Sequence, residues 1–172
     1  REYHSTCKPR GVEDLGENDN PQWAFSPLNN FYYMNEPFHP QFDTQDYHEE
    51  PARATGNDCF TAQPSKNDWY ETIKLNYGVF YQGGGEQQFD PIPSTWYKML
   101  HILLFWSSKG VDGFRCDMAE MVPQAFWSWV IPQVKEQYPN MLFIAEVYNP
   151  NLYRNYLSAG FEQLCDIGDM LE

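Results

Sequence analysis

The stretch VDGFRCD, residues 111–117, decides both the predicted fold and the predicted site. It is interpreted as a short buried strand that ends on a charged pair, Arg115 and Asp117. Their i, i+2 spacing puts both side chains on one face of the strand, and functional groups of parallel β/α folds gather where strands end. Arg115 beside Asp117 would keep that carboxylate ionised, as a nucleophile requires. A structural ion pair fits the same spacing, so the pair alone leaves both interpretations open.

A second apolar strand, LFIAEV over residues 142–147, contains one carboxyl group, Glu146. Burying an unpaired carboxylate is costly, so Glu146 is predicted to be either exposed at the strand end or protonated. A carboxyl group that an apolar setting keeps neutral near pH 7 makes a good general acid. If the two strands are neighbours in a parallel sheet, Glu146 lies beside Asp117. Two such carboxylates are what glycoside hydrolysis needs.

Helical patterns flank these strands. Ser94 is a candidate N-cap for a helix that ends at Lys109-Gly110. A second helix follows Pro123, with Phe126, Val130 and Val134 on one face, and Pro132 is expected to kink or divide it. A short helix over residues 151–159 and a third strand over residues 161–164 complete the pattern. Alternating strands and helices predict parallel β/α units, and a doubly wound sheet and a closed barrel both fit.

Composition limits the partners. The net charge of −13 argues against nucleic acid as a partner, because nucleic acid needs a basic footprint. It also argues against binding to anionic membrane surfaces. No segment reaches the roughly 18 apolar residues of a membrane span. The acidic balance permits a neutral or cationic substrate, and acidity for solubility alone explains it as well.

The four cysteines lack the spacing of a metal site. Cys7 and Cys59 could pair in an exported protein. The compartment is therefore unassigned, with an extracytoplasmic location, periplasmic or secreted, kept open. Cys116 lies in the predicted buried strand and is expected to be an inert thiol.

Residues 113–117, GFRCD, resemble the nucleophile motif of glycoside hydrolase family 13, the α-amylase family. Residues 143–146, FIAE, resemble that family's acid/base motif, one strand–helix–strand step further along the chain. LNYG, residues 75–78, is similar to the stretch that follows the family's excursion domain, called domain B. The resemblance covers roughly residues 69–165, and the two carboxylate motifs in this order are its specific part.

The resemblance implies a partial (β/α)8 TIM barrel of about three strands, residues 71–172. Residues 1–70, which are rich in Pro, Gly, Asn and Asp, would form a domain B-like irregular excursion held by its aromatic side chains. It also implies a retaining mechanism on α-1,4-linked glucans such as starch and maltooligosaccharides. The family has two further motifs, an Asn-His motif before domain B and a His-Asp motif with the third carboxylate on a later strand. Both are expected outside this stretch of sequence.

The resemblance implies roles for single residues. Asp117 would be the nucleophile, Glu146 the acid/base, and Arg115 would orient Asp117. Arg115, Glu120 and Tyr148 are the candidate substrate-binding residues. Many family members have Lys-His three and four residues after the nucleophile, where this chain has Glu120 and Met121. Sugar contacts of the common kind are therefore in question.

Calcium often bridges domain B and the barrel in this family, so calcium is kept as a candidate cofactor and no other cofactor is expected. No metal site is assigned, because none of the acidic residues that could bind calcium lies in a recognisable calcium loop. Those residues are Asp43, Asp46, Asp58 and Asp68. Asp166 and Asp169 lack the His that precedes the family's third carboxylate and are expected to be loop residues.

Two other functions stay open. The aromatic side chains could serve a non-catalytic carbohydrate-binding module, or the chain could be a scaffold that kept the fold and lost catalysis. The presence of Arg115, Asp117 and Glu146 argues against the scaffold. A barrel of this kind takes about 250 residues, so the isolated chain is expected to be catalytically inactive and prone to associate.

Overall fold

A computed structural model of the chain describes residues 10–12, 14–43 and 47–165. The chain divides into two compact units, residues 1–97 and 98–172. The domain boundary predicted at residue 70 stays a prediction. Cys59 is a free thiol, and its predicted partner Cys7 lies outside the described residues. Asp46, Asp166 and Asp169 also lie outside them.

The first unit is irregular and rich in buried aromatic side chains. Its two short strands, β1 (Val79–Phe80) and β2 (Glu86–Gln87), pair antiparallel. Isolated bridges join Phe31 to Leu75 and Tyr33 to Arg53. The larger apolar cluster consists of Tyr32, Met34, Phe38, Ala52, Ala54 and Ala62, with Phe25, Tyr47 and Phe60 packed against it. Burial of rings therefore gives this unit a core despite its proline-rich sequence.

Buried amide side chains replace regular backbone pairing in the first unit. The Asn30 side-chain oxygen accepts from the Gly16 N–H at 2.8 Å, and its amide donates to Thr95 Oγ1 at 3.2 Å. Asn76 donates to the Ser26 carbonyl at 2.7 Å. Buried backbone groups need partners wherever they lie, so these amides hold an irregular chain that no sheet or helix satisfies.

The second unit contains a parallel three-stranded sheet in the order β3-β4-β5. Its strands are β3 (Gly113–Cys116), β4 (Leu142–Glu146) and β5 (Gln163–Cys165). Helix α1 (Ser94–Ser107) begins in the first unit and precedes β3 along the chain. Helix α2 (Gln124–Gln137) connects β3 to β4, and α3 (Tyr153–Ala159) connects β4 to β5. The predicted α/β class with parallel β/α units is confirmed.

Helix α2, which joins β3 to β4, buries the predicted face. Phe126, Val130 and Val134 of α2 are fully buried, as the 3.6-residue spacing predicts. Phe143 at the centre of β4 is also fully buried and contacts the Phe114 ring at a centroid distance of 5.5 Å. The ring contact joins β3 to β4.

Three sequence predictions differ from the structure in detail. Pro132 lies inside α2, which is continuous from Gln124 to Gln137, so the proline does not divide the helix. The kink, the other predicted effect, stays a prediction. The proline is exposed, so the buried face opposite it holds the helix together. The strand predicted over residues 111–117 is shorter, and Asp117 follows its end. The third strand begins at Gln163, while Phe161 is buried in the turn before it.

The ends of the helices also follow local chemistry. Helix α1 ends at Ser107, two residues before the predicted end at Lys109-Gly110, and the turn that follows it closes on Gly110 with a left-handed φ of +85°. The stretch predicted as a helix over residues 151–159 is a 3-10 turn, Pro150–Leu152, followed by α3. Within the described residues, no helix has both the length and the apolar character that crossing a membrane requires.

Candidate active site

Strand register places the two predicted carboxylates at one edge of the sheet. In the parallel pair β3–β4, Cys116 lies opposite Ala145. Asp117 and Glu146 therefore follow these partners at the same carboxyl edge, as a parallel arrangement requires. The sequence predicts this juxtaposition, and the structure brings the two residues together.

One guanidinium links both carboxylates. Arg115 Nη1 forms an ion pair with Asp117 Oδ1, and Arg115 Nη2 lies 2.9 Å from Glu146 Oε1. The hydrogen bond to Asp117, together with the charge of Glu146, raises the pKa of Arg115. The Asp117 side chain is 71 % exposed and that of Glu146 is 8 % exposed. Exposed ion pairs contribute little to stability, so the geometry orients the carboxylates more than it stabilises the fold.

Glu146 is buried but well supplied with hydrogen-bond donors. Its Oε2 accepts from the Met118 N–H at 2.8 Å, and its Oε1 accepts from the Tyr148 hydroxyl at 2.8 Å. The Met118 hydrogen bond first, then the Tyr148 hydrogen bond and the charge of Arg115, hold the pKa of Glu146 below its usual value. The sequence predicts that Glu146 is either exposed or protonated, and neither alternative holds, because the residue is buried and its contacts favour the ionised form. Donated hydrogen bonds outweigh the cost of burial.

The donor at residue 118 is a backbone group in an unusual conformation. Met118 has a φ of +46°, in the left-handed region, where a non-glycine residue costs about 1–3 kcal/mol. This conformation turns the chain from β3 into the 3-10 turn Ala119–Met121 and directs the N–H at Glu146. Sequence analysis missed Met118 because a backbone contact leaves no signal in residue type.

Glu120, predicted to contact substrate, binds the protein's own backbone. Its Oε2 accepts from the N–H groups of Tyr148 at 3.1 Å and Asn149 at 3.0 Å. Tyr148, the other predicted sugar contact, donates its hydroxyl to Glu146. That hydrogen bond raises the pKa of the Tyr148 hydroxyl, which keeps it a donor. Sugar contacts by Glu120 and Tyr148 stay predictions.

Comparison with curated proteins finds relatives that are named as maltosyltransferases. No family model matches the chain. An α-1,4-glucan:maltose-1-phosphate maltosyltransferase of Cereibacter sphaeroides is 33 % identical over 112 residues, which cover 64 % of this chain and 17 % of that protein. The same enzyme of Methylacidiphilum infernorum is 39 % identical over 71 residues, 41 % of this chain and 11 % of that protein. Over the matched region, this chain resembles members of the α-amylase family, glycoside hydrolase family 13, as its GFRCD and FIAE motifs predict.

Solved structures of α-amylases also match part of this chain. An Anoxybacillus α-amylase aligns with a TM-score of 0.42 at 22 % identity, covering 49 % of this chain and 19 % of that one. A Lactobacillus plantarum α-amylase aligns with a TM-score of 0.37 at 32 % identity, covering 55 % and 19 %. The chain spans 17 % of the length of the Cereibacter relative.

Calcium, which the α-amylase family often binds, has no group of candidate ligands among the residues that the structure describes. Within residues 10–12, 14–43 and 47–165, no three His, Cys, Asp or Glu side chains are grouped to hold a metal. Asp58 pairs with Lys74 at 3.4 Å. Asp68 accepts from the N–H and hydroxyl of Ser65 at 2.8 and 2.7 Å. Protein donors thus engage two of the predicted calcium ligands, and calcium binding stays a prediction.

Cys116 lies in β3, between the two residues of the charged pair. Burial raises the pKa of its thiol to about 12. A raised thiol pKa disfavours the reactive thiolate. The inert thiol that the sequence predicts stays a prediction.

Proposed function

We propose that this chain carries two catalytic carboxylates of a retaining enzyme that processes α-1,4-glucans, on part of a (β/α)8 barrel. Asp117 is the nucleophile and Glu146 the acid/base. The observation that carries the proposal is the single Arg115 guanidinium that contacts both carboxylates at neighbouring ends of parallel strands. Starch and maltooligosaccharides are the proposed substrates, and an extracytoplasmic location stays a prediction.

The chemistry follows from the different settings of the two groups. Asp117 is exposed and paired with Arg115, so its carboxylate oxygen attacks the anomeric carbon while the glycosidic oxygen leaves with the proton of Glu146. A glycosyl ester on Asp117 results. Glu146, now ionised, then takes a proton from the acceptor hydroxyl as that oxygen replaces Asp117. Free Asp117 is regenerated and Glu146 recovers its proton.

Glu146 must carry a proton in the first step, although its hydrogen bonds favour the ionised form in the free chain. A bound sugar would exclude water from the exposed Asp117 side of the site, and loss of water raises the pKa of a carboxyl group. Formation of the ester then removes the Asp117 charge, which lowers the pKa of Glu146 for its role as base. The proposal therefore requires a pKa of Glu146 that rises on substrate binding.

Transfer to a sugar is the second candidate, and the names of the curated relatives favour it. Maltosyl transfer would use the same ester on Asp117 with two differences. The leaving group would be the phosphate of maltose-1-phosphate, and the acceptor would be a glucan hydroxyl in place of water. Phosphate leaves with little help from an acid, so Glu146 would matter mainly as the base.

The test uses the protein encoded by the complete reading frame that contains these residues. Wild type, Asp117→Asn and Glu146→Gln are assayed with maltoheptaose alone and with maltose-1-phosphate added. We expect wild-type turnover and a loss of roughly a thousandfold or more in kcat for each carboxylate variant. Glu136→Gln, an exposed change on α2, is the matched control and should keep full activity.

Two readouts separate the mechanisms. Chain extension that needs maltose-1-phosphate supports transfer, and chain shortening without it supports hydrolysis. A fluorinated glycosyl fluoride should label Asp117 in the wild type, and peptide mass spectrometry would identify the labelled residue. Full activity in Asp117→Asn, or a first-formed product of inverted anomeric configuration, would refute the retaining mechanism. Glucan binding without turnover that survives Asp117→Asn would favour a carbohydrate-binding module instead.

A further inference from the structure

Glu120 connects the two segments that supply hydrogen-bond donors to Glu146. One donor is the N–H of Met118, two residues before Glu120. The other donor is the Tyr148 hydroxyl, and the backbone N–H of the same tyrosine donates to the Glu120 carboxylate. We propose that Glu120 is a positioning residue, whose carboxylate holds the segment after β4 so that the Tyr148 hydroxyl stays on Glu146. The direct claim concerns geometry, and its catalytic consequence rests on the proposed function.

The hydrogen bonds that Glu120 accepts from the segment after β4 form a clamp. Its base is the 3-10 turn Ala119–Met121, which carries Glu120 and is fixed to the core. Ala119, beside Glu120, is fully buried, and its carbonyl accepts from the Trp127 indole N–H at 3.2 Å. Trp127 itself is buried on α2 and contacts the Phe161 ring at 5.0 Å. The 3-10 turn that carries Glu120 is therefore held by packed side chains. The Glu120 side chain extends from this fixed position.

The segment that the clamp holds needs such support. Beyond the end of β4, the Val147 N–H donates to the Cys165 carbonyl at 3.1 Å. The next two N–H groups, of Tyr148 and Asn149, both go to Glu120 Oε2. The Tyr148 residue is 37 % exposed, so burial alone does not fix its ring. Two charge-assisted hydrogen bonds to one carboxylate give the segment a single position.

Removal of Glu120 should shift the pKa of Glu146 in opposite directions, depending on whether Glu120 acts by holding Tyr148 or only through its negative charge. If Glu120 acted only through its charge, its removal would lower the pKa of Glu146, because a like charge disfavours ionisation. If it acts by holding Tyr148, its removal weakens a donated hydrogen bond and raises that pKa. The other groups that face Glu146 are Arg115 and Asp117, with Cys165 of β5 interacting through Arg115. All three are unchanged in the comparison, so the sign decides between the mechanisms.

The test is an NMR titration of the Glu146 side-chain carboxyl carbon in the 172-residue chain, which needs no activity. Tyr148→Phe should raise the pKa of Glu146 by about one unit, the size expected for one hydrogen bond to a charged group. Glu120→Ala should raise it by a smaller amount in the same direction. Glu120→Gln keeps an acceptor oxygen and should raise it less than Glu120→Ala. Adding Glu120→Ala to Tyr148→Phe should give no further rise.

An unchanged or lowered pKa of Glu146 in both Glu120 variants would overturn the proposal, as would a full additional rise in the double variant. Glu136→Ala on α2 is the control for surface charge and should leave the titration unchanged. Backbone amide spectra of each variant check that the fold is intact, and Glu120→Gln, the near-isosteric change, decides the question if Glu120→Ala does not fold. These results do not depend on turnover. A chain with the expected pKa shifts but no glucan chemistry in the complete protein would refute the proposed function and leave the positioning role standing.

Discussion

At the scale of single residues, Glu146 is the group whose surroundings matter most. It is 6 % exposed as a residue, yet its pKa is lowered because Met118, Tyr148 and Arg115 favour the charged form. Burial and hydrogen bonding act in opposite directions on a carboxyl group, and here the hydrogen bonds prevail. The same three contacts make Glu146 a source of pH-dependent stability.

Glu146 should make the folded chain more sensitive to acid. A carboxyl group whose folded-state pKa lies below its unfolded value of 4.5 stabilises the fold above that pH. This stability is lost as the pH falls from 4.5 through the folded-state pKa. Urea unfolding at a series of pH values should therefore show a steeper acid loss in wild type than in Glu146→Gln. Identical pH dependence in the two proteins would contradict the assigned hydrogen bonds.

At the scale of elements, α2 joins β3 to β4 and remains continuous although it contains a proline. Pro132 removes one backbone hydrogen bond from the helix interior and crowds the preceding turn, at a cost of about 3 kcal/mol in a free helix. The buried face made by Phe126, Val130 and Val134 maintains the helix despite this cost. Helix propensity is thus subordinate to tertiary packing at this position.

Replacement of the exposed proline should stabilise the unit. We expect Pro132→Ala to raise the free energy of unfolding by about 1–2 kcal/mol, since the regained helix energy of about 3 kcal/mol is partly offset by a more flexible unfolded chain. Urea denaturation followed by circular dichroism measures the change. Glu136→Ala, one turn later on the exposed side, should alter stability by no more than about 0.5 kcal/mol. A less stable Pro132→Ala protein would show that the ring makes contacts that the helix needs.

At the scale of the whole molecule, charge and strand edges oppose each other. In the described part of the second unit, β3 and β5 are the outer strands of the sheet, and free edges favour pairing with other chains. The net charge of −13 keeps molecules apart at neutral pH. That repulsion disappears near the isoelectric point, at about pH 4.5.

The balance predicts association that depends on pH and salt. Sedimentation velocity should show smaller species at pH 8 in low salt than at pH 4.5, with growth also on adding salt at pH 8 because salt screens the repulsion. A chain that stays monomeric under all of these conditions would show that the edges are protected.

The sequence by itself determined the periodic part of this protein. Spacing along the chain fixes which faces of α2 and β4 are buried, and parallel strands must bring their carboxyl ends to one edge. The neighbouring positions of Asp117 and Glu146, with Arg115 two residues before Asp117, followed from these local rules. The motifs that resemble the family are likewise local, because FIAE lies on β4 and GFRCD covers β3 and the residue after it.

Only the tertiary structure decided the state of the site. The donors to Glu146 are a backbone N–H at a left-handed residue, Met118, and a hydroxyl on a loop residue, Tyr148. Neither arises from a repeating pattern. Glu120 contacts backbone groups 28 and 29 residues away, which no local spacing encodes. The direction of the Glu146 pKa therefore could not be read from its apolar strand, because it depends on groups that the fold brings together from separate loops.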